Sequence, residues 1–173
     1  TINLSEDNQG YDMDPVFSPD GKKIVWWSMK TPGFESDKKR LMIHDFTTGK
    51  TEDYSTDFDN HCENFVWSAD GSKIYFLSCV EATIQMYELN LADRSIQPIT
   101  QGDHDYNSLL LAGNKLIATK TTHSLPAEIF AVDLNTKKET QLTFTNKEIL
   151  DKIDMGETVK RWVKTTDGKD MLV

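Results

Sequence analysis

Phe17-Ser18-Pro19-Asp20-Gly21-Lys22-Lys23-Ile24 returns 50 residues later as Trp67-Ser68-Ala69-Asp70-Gly71-Ser72-Lys73-Ile74. A third, weaker copy, Leu111-Ala112-Gly113-Asn114-Lys115-Leu116, follows after a further 42 residues. Self-similarity at such a period marks a supersecondary unit that cannot bury its apolar face alone and must stack on its neighbours. The stretch Thr31 to Lys39, rich in Pro, Gly and charge, lengthens the first interval.

The same signals follow each copy. An apolar run comes first, at Ile24-Val25-Trp26-Trp27, Ile74-Tyr75-Phe76-Leu77 and Leu116-Ile117-Ala118. A second run lies beyond a loop, at Leu41 to Asp45, Ile84 to Leu89 and Glu128 to Val132. Turn residues come next, at Thr47 to Lys50, Ala92 to Arg94 and Asn135 to Lys137. A short polar strand then closes the unit, at Thr51 to Tyr54, Ser95 to Ile99 and Glu139 to Thr143. These runs are short, rich in β-branched and aromatic residues, and bounded by turn residues, so each unit holds four strands. In Ser18-Pro19-Asp20-Gly21, Pro presets φ and Gly takes the left-handed position, which makes a tight hairpin of the first two strands.

Units of roughly 40 to 50 residues with four strands each read as β-propeller blades. The fold class is therefore all-β, with about three antiparallel blades at 10–54, 63–99 and 106–143. Propellers close with about four to eight blades, so the expected architecture is a partial propeller and not a closed ring. Residues 1–5 resemble the blade endings and are expected to be the outer strand of a preceding blade. The chain does not open on Met and is expected to be a piece of a longer protein. Residues 144–156 read as a crossover, with a weak helical pattern from Lys147 to Asp154.

The net charge of −9 and pI near 4.9 exclude a nucleic-acid partner, because the phosphate backbone demands clustered Lys and Arg. No stretch approaches the roughly 20 apolar residues of a membrane helix. No cofactor and no metal site is expected: His-Glu-x-x-His, Cys-x-x-Cys and P-loop glycines are all absent. The acidic cluster before the first blade fails the calcium-loop spacing, since with Gly10 at its sixth position Val16 stands where that loop needs a carboxylate; the clusters at Asp57, Asp59 and Asn60 and at Asp103-His104-Asp105 read as polar loops between blades. No serine has the Gly-x-Ser-x-Gly context of a nucleophile elbow. His44, His61, His104 and His123 form no triad with a Ser and a carboxylate.

Asp14-Pro15-Val16-Phe17-Ser18-Pro19-Asp20-Gly21 looks like the blade repeat of TolB-type and peptidase propellers. Met29 to Lys38 resembles a loop of dipeptidyl peptidase and acylaminoacyl peptidase propellers. Residues 157–173, ending Thr165-Thr166-Asp167-Gly168-Lys169-Asp170-Met171-Leu172-Val173, are similar to the junction where such enzymes enter an α/β-hydrolase domain. Together these resemble the prolyl oligopeptidase family of serine peptidases, in its dipeptidyl aminopeptidase branch. The resemblance implies a parent enzyme that removes short peptides from N-termini, a catalytic domain downstream of Val173, and a periplasmic or secreted location. The expected role of this piece is non-catalytic: it gates access and helps bind the substrate N-terminus.

Glu35 and Asp37 are the candidate substrate-binding residues. An aminopeptidase needs an anion to hold the α-ammonium of its substrate, and a carboxylate on a rigid scaffold supplies it. The alternative is that they pair with Lys38, Lys39 or Arg40 and merely order the loop. Two rival functions remain: a TolB-like propeller that binds protein, and a propeller lyase or glycosidase. Cys62 and Cys79 face each other within disulfide reach if Asp70-Gly71 is a two-residue turn. A longer turn shifts the register by one and leaves two free thiols. Trp26, Trp27 and Trp67 are expected between blades. Open strand edges make edge-to-edge association of the piece an expectation too.

Overall fold

The repeated corner folds as its residue types demand. Gly21 and Gly71 both sit at φ 70, and each donates its N–H to the carbonyl of the corner serine, Ser18 or Ser68, at 2.9 Å. The serine hydroxyl donates to the aspartate, 2.7 Å at Asp20 and 2.6 Å at Asp70. That same oxygen accepts the N–H of Lys23 or Lys73 at 2.9 Å. In the third copy Gly113 alone takes positive φ, at 59, and the turn shortens to two residues between Ala112 and Lys115.

The computed structural model describes residues 2–156 and 158–173. The first sheet runs β1 (Asp12–Phe17), β2 (Lys23–Ser28), β3 (Arg40–Asp45), β4 (Lys50–Asp53) in spatial order. The second runs β5 (Glu63–Trp67), β6 (Lys73–Val80), β7 (Thr83–Asn90), β8 (Ile96–Pro98). In the third, the inner strand is broken into β9 (Asp105–Tyr106) and β10 (Leu110–Ala112), both on β11 (Lys115–Thr121), followed by β12 (Glu128–Asp133) and β13 (Glu139–Gln141). All pairings are antiparallel. The protein is thus an all-β stack of three blade sheets that does not close on itself. A one-turn helix, α1 (Lys147–Leu150), lies in the crossover, and the chain ends in a separate hairpin, β14 (Trp162–Lys164) and β15 (Asp170–Leu172).

Each blade carries a one-residue register shift in its first hairpin. Val16 faces Val25, but Met13 faces Trp27; Val66 faces Tyr75, but Glu63 faces Leu77. The extra residue is a β-bulge. Asp14 and Asn64, 50 residues apart like the corners, take up the bend at φ 55 and 56. Asp and Asn tolerate this left-handed conformation better than other side chains. Asp14 also accepts the indole N–H of Trp27 at 2.7 Å. In the third blade the break between β9 and β10 produces the same shift.

The outer edge is pinned the same way three times. Leu41, Met86 and Ile129 donate their N–H to the hydroxyls of Ser55, Thr100 and Thr143 at 2.8, 2.9 and 2.8 Å. The residue before each hydroxyl, Tyr54, Ile99 or Leu142, returns a backbone bond to the same strand position. An Asx residue ends the third strand every time: Asp45, Asn90 and Asp133 each accept the N–H two residues on.

Packing between sheets makes the core. β6 is buried on both faces. Its Ile74 and Phe76 meet Val25, Trp27, Leu41 and Ile43 of the first blade. Its Tyr75 and Leu77 meet Leu116, Ala118 and Val132 of the third. Trp67 donates its indole N–H to the Val16 carbonyl at 3.1 Å, across the first interface. Trp27 and Trp67 therefore lie between blades as expected. Trp26 lies on the far face of the first blade, its N–H on Asp12 at 2.8 Å, beside the N-terminal residues.

Residues 2–5 are not paired as a strand in this chain: Leu4 and Ser5 lie in a turn, closed by Asn8 N–H on the Ser5 carbonyl at 2.9 Å. Among the described residues no sheet presents a neighbour for an outer strand there, and Asn3 bends the chain by accepting the Ser5 N–H at 3.1 Å. Thr1 lies outside the described residues. The disulfide alternative fails, because the Asn64 bulge, not the turn length, moves Cys62 out of line with Cys79, and both cysteines are free.

Phe76 is fully buried, so Phe76→Ala should cost about 3–5 kcal/mol, read from denaturant unfolding. Thiol labelling under native, non-reducing conditions should modify the exposed Cys79 and spare the buried Cys62. Both should react once the chain is denatured.

Candidate functional site

The connections β2–β3, β6–β7 and β11–β12 leave at one end of their sheets. The first strand of each blade runs antiparallel to the second, so the crossings between blades arrive at that same end. This end gathers the candidate chemistry: the loop 29–39, Asp103 to Asp105, and Thr121 to His123. The Asp-Gly corners lie at the other.

The loop 29–39 is wound tightly and its clamp is Asp37. One carboxylate oxygen of Asp37 accepts the N–H groups of Thr31 at 2.6 Å and Lys30 at 2.9 Å; the other accepts that of Lys38 at 2.8 Å. The Thr31 amide, foremost among these donors, holds the Asp37 carboxyl below the usual aspartate range. Phe34 N–H meets the Thr31 carbonyl at 3.3 Å, and Asp37 N–H meets the Phe34 carbonyl at 3.0 Å.

The loop's cations are occupied elsewhere. Lys38 donates to the Ser55 carbonyl at 2.7 Å, and Lys39 pairs with Glu63 at 3.0 Å while lying over the Trp27 ring. Arg40 donates to the Ser28 carbonyl and hydroxyl. The alternative of a Glu35 or Asp37 ion pair with these cations is therefore replaced by Asp37's grip on backbone amides. Glu35 is exposed, and among the described residues its carboxylate has no hydrogen bond and no ion pair. Sequence reasoning brought Glu35 and Asp37 to one loop; the structure separates their roles.

A second feature went unseen in the sequence. Glu139 accepts the Lys120 ammonium at 2.6 Å and the phenol O–H of Tyr106, whose ring is fully buried. Burial alone would raise the Glu139 carboxyl, but the bonds from Lys120 and Tyr106 hold it below its ordinary value. Burial, then Glu139, pushes the Tyr106 phenol upward. His104 packs edge-on against Tyr106, with ring centroids 4.8 Å apart, and burial lowers its pKa. The signal was legible: Lys120 shares a strand face with Leu116 and Ala118, which read as core. Beside this cluster lies a cavity of about 380 Å³ lined by His104, Asp105, Thr121 and His123. The C-terminal hairpin covers it, tied down by Lys160 on Asp103 at 2.7 Å.

Among the described residues no group of three or more His, Cys, Asp or Glu is placed to hold a metal, and no helix is long and apolar enough to cross a membrane.

Over 172 residues the chain is 41% identical to dipeptidyl-peptidase 5 of Porphyromonas gingivalis, covering 99% of this chain and 25% of that protein. It is a propeller segment of the prolyl oligopeptidase family. The dipeptidyl-peptidase 5 of Porphyromonas endodontalis is likewise 41% identical over 173 residues, and this segment again spans 25% of its length. The chain thus spans about a quarter of the curated relatives it matches. No family model matches it. Among solved structures, the acylaminoacyl peptidase of Pyrococcus horikoshii superposes with a TM-score of 0.75 at 23% identity, covering 95% of this prolyl oligopeptidase-family segment and 24% of that chain. The β-propeller domain of the trilobed protease of Pyrococcus furiosus gives 0.61 at 22% identity, over 82% of this chain and 39% of that one. TolB of Acinetobacter baumannii gives 0.58 at 20% identity, over 94% and 37%. At these identities the structural likenesses carry the fold.

Replacing Lys120 with Met leaves a partly buried carboxylate with one donor fewer. The expected loss is about 1–3 kcal/mol of unfolding free energy, with the Glu139 titration moved upward in NMR.

Proposed function

We propose that this segment is the non-catalytic propeller portion of a serine-type dipeptidyl aminopeptidase. It screens access to a catalytic α/β-hydrolase domain that follows it in the longer protein, and it helps hold the N-terminus of the peptide substrate. The 41% identity to dipeptidyl-peptidase 5 along nearly the whole chain supports the choice of enzyme. The terminal hairpin supports the second domain. Trp162, Val163 and Met171 leave apolar surface in water, and a lone two-stranded hairpin is marginal without further strands.

Glu35 is the group proposed to hold the α-ammonium, and the observation that carries this is its place on a clamped loop. Asp37 spends its charge on backbone amides, so the loop presents one uncommitted carboxylate. A charge already held in position costs less ordering entropy when it binds an ammonium.

The test is Glu35→Ala in the full-length protein with dipeptide-amide substrates. A contact of this kind is worth roughly 1.5–3 kcal/mol, so kcat/KM should fall about ten- to hundredfold. An N-acetylated substrate should be turned over poorly by the wild type and no worse by the variant. Unchanged kcat/KM on the free-amine substrate would remove Glu35 from the role.

A further inference from the structure

The three blades are built on one plan, and they differ most in the connection between the second and third strands. It is two residues in the second blade, 81–82, and six in the third, 122–127. In the first blade it runs from 29 to 39, eleven residues. Connections between hairpin strands typically run about two to five residues, so this one is long for its kind.

This one is ordered at its centre. Phe34 stands where two consecutive turns meet, its N–H on Thr31 and its carbonyl under Asp37. Gly33 before it takes φ 70, a conformation that costs other residues energy. Both turns are locked by the Asp37 carboxylate. What this arrangement presents to solvent is a phenyl ring, 52% exposed, next in the chain to the free carboxylate of Glu35. Other exposed phenylalanines in the blades find a ring: Phe17 stacks on Phe46 with centroids 5.9 Å apart. Phe34 has no aromatic partner among the described residues. The base of the loop, at Lys30 and Pro32, borders a recess of about 740 Å³ on the first blade.

We infer that Phe34 is a specificity-determining residue that adjoins Glu35, so the loop reads an amine together with the apolar side chain beside it. The ligand class is a peptide whose free-amine terminal residues carry an aliphatic or aromatic side chain. Asp37 is the positioning residue: it touches no ligand and holds the other two in place. This rests on the reading of Glu35 as the ammonium's partner. Apolar contacts of one side chain typically discriminate ten- to two-hundredfold.

The experiment uses the full-length protein, two free-amine dipeptide-amide substrates with leucine or glycine at the terminal residue, and the variants Phe34→Ala, Asp37→Asn and Glu35→Ala. Melting temperatures identify variants that fold. Phe34→Ala should lower kcat/KM for the leucine substrate about tenfold and for the glycine substrate less than twofold. Asp37→Asn should raise KM for both substrates and leave kcat unchanged. Equal losses on the two substrates, or none, for a folded Phe34→Ala would overturn the inference. If Glu35→Ala is silent while Phe34→Ala still discriminates, the ammonium reading fails and the apolar contact survives. If Glu35→Ala loses activity while Phe34→Ala does not discriminate, the apolar contact alone fails.

Discussion

The structure depends on burying the second strands of its first two blades on both faces, while β11 of the third blade buries one face, at Leu116 and Ala118. A four-stranded sheet of this size has no interior of its own. β6 shows how the problem is met: Ile74 and Phe76 pack one way, Tyr75 and Leu77 the other, so one strand serves two interfaces. Each interface supplies the apolar burial that offsets the backbone entropy of ordering its two sheets. That is why the units must be stacked, and why their strands read as unbroken apolar runs where period two was looked for.

Stacking places strict demands on twist and register, and the chain meets them with polar devices. The left-handed residues Asp14 and Asn64 insert the bulge that bends the inner strand. Ser55, Thr100 and Thr143 tie the outer strand back to the third. Aspartates serve twice over, at the corners and at the ends of third strands. The carboxylates of Asp20, Asp70, Asp45 and Asp133 are therefore bound up in turn geometry.

The same economy of carboxylates separates scaffold from candidate site. Asp37 and Glu35 stand two apart in a charged loop, and as residue types they are interchangeable. The backbone decides between them: three N–H groups converge on Asp37 and none on Glu35. Lys39 and Arg40, the expected partners, are drawn off by Glu63 and Ser28. The proposed recognition of a peptide amine rests on this loop, with one uncommitted charge and one uncommitted ring, on the blade with the longest connection at that end.

Period and punctuation in the chain were enough to settle the architecture. The Ser-x-Asp-Gly corners, their spacing, and the apolar runs between them specify local hairpins whose geometry follows from glycine's φ and the reach of a serine hydroxyl. The Asx ends and the Ser/Thr pins were also present as residue types, but nothing local marks which hydroxyl meets which strand. Tertiary structure alone decided the rest. The one-residue bulge at Asn64 that parts Cys62 from Cys79 shows only in the strand pairing. The Lys120–Glu139–Tyr106 cluster joins residues up to 33 apart across a packed sheet. The roles of Glu35 and Asp37 diverged only once the loop closed, because a carboxylate's role is set by the donors brought to it, and the loop's own turns bring the N–H groups of Lys30, Thr31 and Lys38 to Asp37.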